Sequence, residues 1–252
     1  MNFLLLFLQF LCQMFLVPLM AASSEVNIYS GRKEALISPV LKAFTDETGI
    51  KVNLLTGKSD QLRARLLSEG KNSPADVLLT SDIANLHRAS EAGLFQSIDS
   101  SVLSERIPQR YRDPRNKWFG LSLRARVIAY SKERVKLADL STYEDLADKR
   151  WAGRVIVRSS SNVYNQSLIA SLLLAHGASK TGEWIEGLVS NFARKPQGGD
   201  TDQLRALAAG EADVAIVNSY YYGRVSASDS DRNRKLVDAV GIFFPNQNDR
   251  GT

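Results

Sequence analysis

Strand-period and helix-period apolar runs take turns along this 252-residue chain, and that alternation is the strongest constraint on its fold. Val26-Asn27-Ile28-Tyr29 has the period of a strand. Leu36, Ile37, Val40, Leu41 and Phe44 then recur at helical spacing, and Gly49 closes the helix. Ile50, Val52 and Leu54 give a second strand, and Leu62, Leu66 and Leu67 a short helix. Asp76 to Leu79 gives a third strand, and Ile83 to Ala92 a helix ended by Gly93. Such an order predicts a parallel, doubly wound α/β sheet, because parallel neighbours need a crossover between them. Ligands of these sheets bind beyond the carboxyl ends of the strands. The segment Ser30-Gly31-Arg32-Lys33-Glu34 is therefore an expected cleft edge, with Arg32 and Lys33 as candidate lining residues.

Residues 100–117 are polar and read as a connector. Trp118 to Ser131 is predicted as one long strand with Ser122, Arg124, Arg126, Ile128 and Tyr130 on one face. A second α/β series begins at Ser141, where Ser141-Thr142-Tyr143-Glu144 fits a capping box. It continues with a strand at Val155 to Val157, a polar loop from Arg158 to Asn165, and helices at Leu168 to Ala175 and Trp184 to Phe192. Gly198-Gly199-Asp200 reads as a turn and N-cap before a helix from Thr201 to Ala209. Ala212 to Val217 is a strand that runs into the segment Asn218 to Arg224, read as a loop. The last strand, Val240 to Phe244, breaks at Pro245. The expected architecture is two α/β lobes joined by long strands, with a ligand cleft between them.

Hydrophobic residues make up 44% of the chain and charged residues 23%, enough for a core and too apolar for a disordered chain. The net charge of +5 is spread without a dense basic run, which argues against nucleic acid as a partner. Cys12 is the only cysteine, and His87 and His176 are the only histidines. Thiolate zinc sites, iron–sulfur clusters and disulfide frameworks are excluded by counting, so a metal site would have to be built from oxygen. Residues 3–20 are almost wholly apolar and lead into Ala21-Ala22-Ser23-Ser24, which predicts a secretory signal peptide over residues 1–22, with a membrane anchor as the other reading of so long an apolar run.

Three of the eight tyrosines are consecutive, Tyr220-Tyr221-Tyr222, directly after an apolar strand, and Tyr164 lies in the corresponding loop after another. Both segments fall at predicted carboxyl ends, so they could converge. Phenols ordinarily titrate near 10, but a strongly charged cation makes phenolate the stable form. Phenolate is a hard anionic oxygen, suited to a hard trivalent cation such as Fe(III). Aromatic packing at a lobe edge is the other reading of the same residues. Arg124 and Arg126 could hold a small oxyanion such as carbonate or phosphate by paired hydrogen bonds, or form a solvated strand face. Ser159 to Asn162 offers hydroxyl and backbone N–H groups at a helix start, for an anion or for plain capping. Phosphate-loop, dinucleotide and nucleophile-elbow motifs are missing, and no cysteine nucleophile survives removal of the leader, so no enzyme is expected.

The segments NIYSGRKEALI, WFGLSLRARVIAYS, STYEDLADKRWAGRVIVRSSSNVYNQS, GEADVAIVNSYYYGR and FFPNQNDRGT resemble the periplasmic ferric-ion-binding proteins of bacterial ABC importers, and the likeness runs from about Val26 to the last residue. It implies a two-lobed type II periplasmic-binding fold. The N-terminal lobe would span 25–121, with 240–252 returning to it, and the C-terminal lobe 122–239. The resemblance also implies a monomer in the periplasm that captures Fe(III) in an interlobe cleft, with carbonate or another synergistic anion, and delivers it to an inner-membrane ABC permease. The family's tyrosine ligands match Tyr164, Tyr220 and Tyr221, while Tyr222 falls at a variable position. Its anion-binding arginine matches Arg126 or Arg124, with Arg126 favoured. Where many members carry an iron-binding histidine, this chain has Lys33 and Glu34. Ser81 stands where some members have a glutamate, with Asp82 beside it. Members usually continue past R-G-T, so the chain ending at Thr252 reads as truncated at its C-terminus. The alternative is the same fold holding a small anion or an organic solute through its arginines.

Overall fold

The structure, a computed structural model, describes residues 24–247; the expected leader lies outside them. The chain forms two compact units, one ending at Ser81 and the other beginning at Asp82.

The first unit carries a three-stranded parallel sheet of β1 (Glu25–Ser30), β2 (Lys51–Thr56) and β3 (Val77–Leu79) in the order β2-β1-β3. Helices α1 (Glu34–Thr48) and α2 (Ser59–Glu69) provide the crossovers that parallel pairing demands. Gly49 takes a left-handed conformation (φ 72°) and its N–H closes α1 on the Thr45 carbonyl. Tyr29, Leu62 and Leu66 are buried, but α1 buries no side chain, and its apolar stripe leaves Leu36 and Val40 exposed.

The second unit begins with α3 (Ile83–Glu91) and the short α4 (Ser101–Arg106). Its centre is a four-stranded sheet of β4 (Arg126–Ser131), β5 (Val155–Ile156), β6 (Val214–Asn218) and β7 (Val240–Phe243), in the order β5-β6-β4-β7. The first unit's sheet is parallel as expected, whereas this one is mixed. β5 and β6 are parallel, whereas β4 runs antiparallel to both β6 and β7. β7 therefore pairs within the second unit's sheet. The long strand predicted from Trp118 is also shorter. Continuous strand pairing covers Arg126–Ser131, Phe119 makes one isolated bridge to Arg112, and the stretch between leaves Leu121 and Leu123 exposed.

Strand side chains alternate between the two faces of this sheet. Ile128, Val155, Val214 and Ile216 pack on one side with Leu168, Leu172, Trp184 and Leu188 of helix α5 (Val163–Ser190). Val127, Ile156, Ala215 and Val217 pack on the other with Leu204 and Leu207 of α6 (Asp200–Ala208) and with Leu236, from a helix over Asp231–Ala239. Each fully buried Leu, Ile or Val contributes about 1.5–3 kcal/mol through loss of apolar surface from water. Gly177 (φ 78°, ψ 173°) interrupts α5, so the two helices expected there are two arms of one segment that starts earlier than predicted, at Val163. The expected capping box at Ser141 is replaced by a 3-10 turn, Glu144–Ala147, in which Thr142 Oγ1 accepts the Asp145 N–H at 3.2 Å.

Candidate metal centre

Strand direction assembles the site. β5 and β6 are parallel neighbours, so both reach the same edge of the sheet and their C-terminal extensions emerge side by side. After β5 comes the polar loop and then α5, whose N-cap Asn162 accepts the Tyr164 N–H at 3.0 Å. After β6 the chain enters α7 (Ser219–Ser226) at once, with Asn218 as N-cap. The segment 219–224, expected to be a loop, is thus helical, and Tyr164 and Tyr220 each sit on the second residue of a helix. Because β4 is antiparallel to β6, its first residue is level with the last residue of β6, with Arg126 opposite Asn218. The arginines before β4 therefore enter at the same edge.

Tyr164 and Tyr220 bring their hydroxyls to 3.5 Å of each other. The Tyr220 and Tyr221 rings lie 4.3 Å apart between centroids, tilted by 30°. Arg124 donates from Nη1 to the Tyr164 hydroxyl at 3.1 Å, and its guanidinium carbon lies 5.6 Å and 5.1 Å from the Tyr164 and Tyr220 ring centroids. Arg158 lies over the Tyr164 ring from a further position, at 5.4 Å. Burial pushes the Tyr220 phenol well above its ordinary range, and the neighbouring phenols of Tyr164 and Tyr221 push it further. A proton is thus held there until a cation of high charge displaces it.

The remaining candidates make other contacts. Tyr222 donates its hydroxyl to the Val240 carbonyl at 3.1 Å and packs with the core under α7. Ser159 and Ser161 bond each other at 2.9 Å, and Ser159 Oγ accepts the Ser161 N–H at 3.2 Å, so this stretch caps itself. Arg32 and Lys33 belong to the first unit. The Arg32 N–H bonds Ser30 Oγ at 3.1 Å, and Lys33 is the exposed N-cap of α1. Asp82, at φ 81°, caps α3 through the Ala84 N–H at 3.0 Å and accepts from Ser167 Oγ at 2.6 Å.

Arg126 sits behind the phenols, with four contacts to protein acceptors. Nη1 reaches Asp200 Oδ2 at 3.1 Å and Asn218 Oδ1 at 3.3 Å; Nη2 reaches Asn165 Oδ1 at 2.5 Å and the Ile216 carbonyl at 3.3 Å. Burial lowers its pKa, opposed chiefly by Asp200. Sequence reasoning missed the role of Asp200. The N-cap position belongs to Gly199, whose N–H bonds Asp202 Oδ2 at 2.8 Å, while the Asp200 side chain turns into the protein. Asp200 reads locally as a helix-start residue, and its real partners lie 42 and 74 positions away, so no local signal marks it.

Among the described residues, no group of three or more His, Cys, Asp or Glu side chains could hold a metal ion. The oxygen cluster at this edge is phenolic, with the guanidinia of Arg124 and Arg158 beside it.

A type II periplasmic-binding fold with a polar cluster at strand ends defines a protein that binds a solute. The chain belongs to the bacterial extracellular solute-binding protein family, whose model matches residues 29–250. It is 54% identical over 228 residues to iron uptake protein A1 of Synechocystis sp. (strain ATCC 27184 / PCC 6803 / Kazusa), covering 90% of this chain and 63% of that protein. The chain therefore spans less than two thirds of this curated relative. Among solved structures it is similar to the Trichodesmium protein IdiA (FutA) in complex with iron and citrate ligands. There the TM-score is 0.87 and the identity 51%, over 91% of this chain and 72% of that one. It is also similar to the ferric binding protein from Campylobacter jejuni, with a TM-score of 0.84 and 40% identity over 90% of this chain and 72% of that one.

Proposed function

We propose that this chain is the solute-binding component of a ferric-ion importer. It captures Fe(III) through the phenolates of Tyr164, Tyr220 and Tyr221 and passes it to an ABC permease of the inner membrane. Three phenolates match the charge of Fe(III), and their hardness matches that of the ion. The observation that carries this reading is the 3.5 Å approach of the Tyr164 and Tyr220 hydroxyls, with Tyr221 stacked beside Tyr220. Two phenols held this close form a site that a cation completes. The relatives support the same cargo: one is named for iron uptake, one for ferric binding, and one is described with iron and citrate.

Arg124 receives the accompanying anion, carbonate or a carboxylate such as citrate. It touches the phenol cluster directly, whereas both terminal nitrogens of Arg126 are taken by protein acceptors. The protein binds and releases and makes no covalent bond, so it is not an enzyme. It works as a monomer in the periplasm. Titrating the purified protein with Fe(III), with and without bicarbonate or citrate, tests the assignment. A visible phenolate-to-iron band that saturates at one equivalent is expected. A colourless protein that nonetheless binds citrate through Arg124 would replace the iron reading with an anion reading.

A further inference from the structure

Behind the phenols lies a carboxylate fully withdrawn from solvent. Asp200 is 0% exposed and joins two guanidinia, accepting from Arg126 Nη1 on Oδ2 at 3.1 Å and from Arg158 Nη1 on Oδ1 at 3.0 Å. Oδ2 also accepts the Asn218 N–H at 2.8 Å. Each partner leads to a tyrosine. Asn218 ends β6 two residues before Tyr220. Arg126 grips Asn165, the residue after Tyr164, and the Asn165 amide in turn donates to the Arg158 carbonyl at 2.8 Å. Arg158 closes the circuit by lying over the Tyr164 ring.

From this circuit we infer that Asp200 is a positioning residue for the phenol cluster: it sets the start of α5 and the start of α7 at the separation a single ion requires. The inference rests on the ferric reading above. A buried ion pair or triad contributes little net stability, because desolvation offsets most of the attraction. Its use is geometric here. Each guanidinium is directional, and the carboxylate meets two of them and a backbone N–H at once, so moving either tyrosine helix breaks a charged hydrogen bond.

The same unit supplies a control. Asp213, just before β6, also bridges two arginines, Arg134 Nε and Arg154 Nε, each at 2.6 Å. It is at the opposite end of the strand from Asn218, roughly 16 Å away at the rise of an extended chain. Asp213→Asn removes comparable charge chemistry without touching the tyrosine edge.

Crystal structures of the metal-free Asp200→Asn and Asp213→Asn proteins, each followed by ferric titration with citrate, test the inference. Asp200→Asn is expected to move the Tyr164 and Tyr220 hydroxyls beyond hydrogen-bond reach, about 3.5 Å. Ferric affinity should fall about 10–100-fold, the usual cost of losing a group that orients metal ligands. Asp213→Asn is expected to lower the melting temperature and leave both spacing and affinity unchanged. Should Asp200→Asn fail to fold, Asn165→Ala leaves Asp200 in place, removes the Arg126 link to the Tyr164 segment together with the Asn165 bonds to the Arg158 and Ser159 carbonyls, and should shift spacing and affinity in the same direction. Unchanged hydroxyl spacing and unchanged affinity in the folded variant would overturn the inference. If the wild-type protein binds no Fe(III), the ferric reading fails on its own, and the metal-free spacing still decides the role of Asp200.

Discussion

The hydroxyls of Tyr164 and Tyr220 stand 3.5 Å apart although 56 residues separate them in the chain. Parallel pairing of β5 with β6 produces this meeting, because each strand delivers its tyrosine on the first turn of the next helix.

Removing single hydroxyls should separate the site from its surroundings. Tyr164→Phe, Tyr220→Phe and Tyr221→Phe should each weaken ferric binding by at least about tenfold, since each removes an anionic ligand. Tyr222→Phe should leave ferric affinity unchanged and cost about 1 kcal/mol of stability, the net worth of its bond to the Val240 carbonyl. Chelator competition and thermal melts read the two effects. Equal losses of affinity in all four variants would contradict the assignment.

Acid should release the cargo. Tyr220 holds its proton above the ordinary phenol range in the metal-free protein, through burial and the two adjacent phenols. Binding iron must expel that proton, so affinity falls as pH falls. Mass action gives about tenfold per pH unit for each proton displaced, or about a thousandfold per unit for three phenols. Chelator competition at two pH values one unit apart, corrected for the chelator's own protonation, gives the number of protons.

Tyr143 predicts a separate alkaline limb of stability. Burial pushes its phenol up to about 12, against the pull of the Arg126 charge, and its hydroxyl donates to the Arg126 carbonyl at 2.8 Å. The group ionises near 10 in the unfolded chain and only near 12 in the folded one. Its contribution is therefore complete below about pH 10 and is lost as pH rises toward about 12, by about 2–3 kcal/mol in total. Urea melts across that range should show the loss, and Tyr143→Phe should reduce it, leaving the part that the raised Tyr220 phenol contributes.

Gly241 tests the packing of the central sheet. It lies opposite Tyr130, and a Cβ there would come within 2.5 Å of the tyrosine ring. Gly241→Ala should destabilise the protein by about 1–3 kcal/mol through overpacking, measurable by denaturant unfolding. A neutral effect would mean that the Tyr130 ring swings aside.

Local patterns carried much of this account. The order of strands and helices and Gly49 as a helix stop were legible because period and punctuation are written in adjacent residues, whereas Tyr164, Tyr220 and Tyr221 were singled out by their places after predicted strands and by the family resemblance. Non-local pairing was not. Nothing in Val240 to Phe243 says that its partner is β4, or that β4 runs against β6. The stretch before Arg126 alternates like a strand, yet Leu121 and Leu123 are exposed, which only the structure reveals. The run after Asn218 reads as a loop because a polar, aromatic sequence lacks an apolar helical stripe, and its helix is only eight residues long. Arg126 resembles an anion ligand by its motif. Its acceptors, Asp200, Asn218 and Asn165, come from three other segments.

Resonance Raman spectroscopy of the protein with one equivalent of Fe(III), excited in its visible band, tests the central claim most directly. Tyrosinate ring modes that are enhanced in the wild type, reduced in each of Tyr164→Phe, Tyr220→Phe and Tyr221→Phe, and retained in Tyr222→Phe are the predicted result. An iron complex without tyrosinate modes, or one whose modes persist when all three tyrosines are replaced, would contradict it.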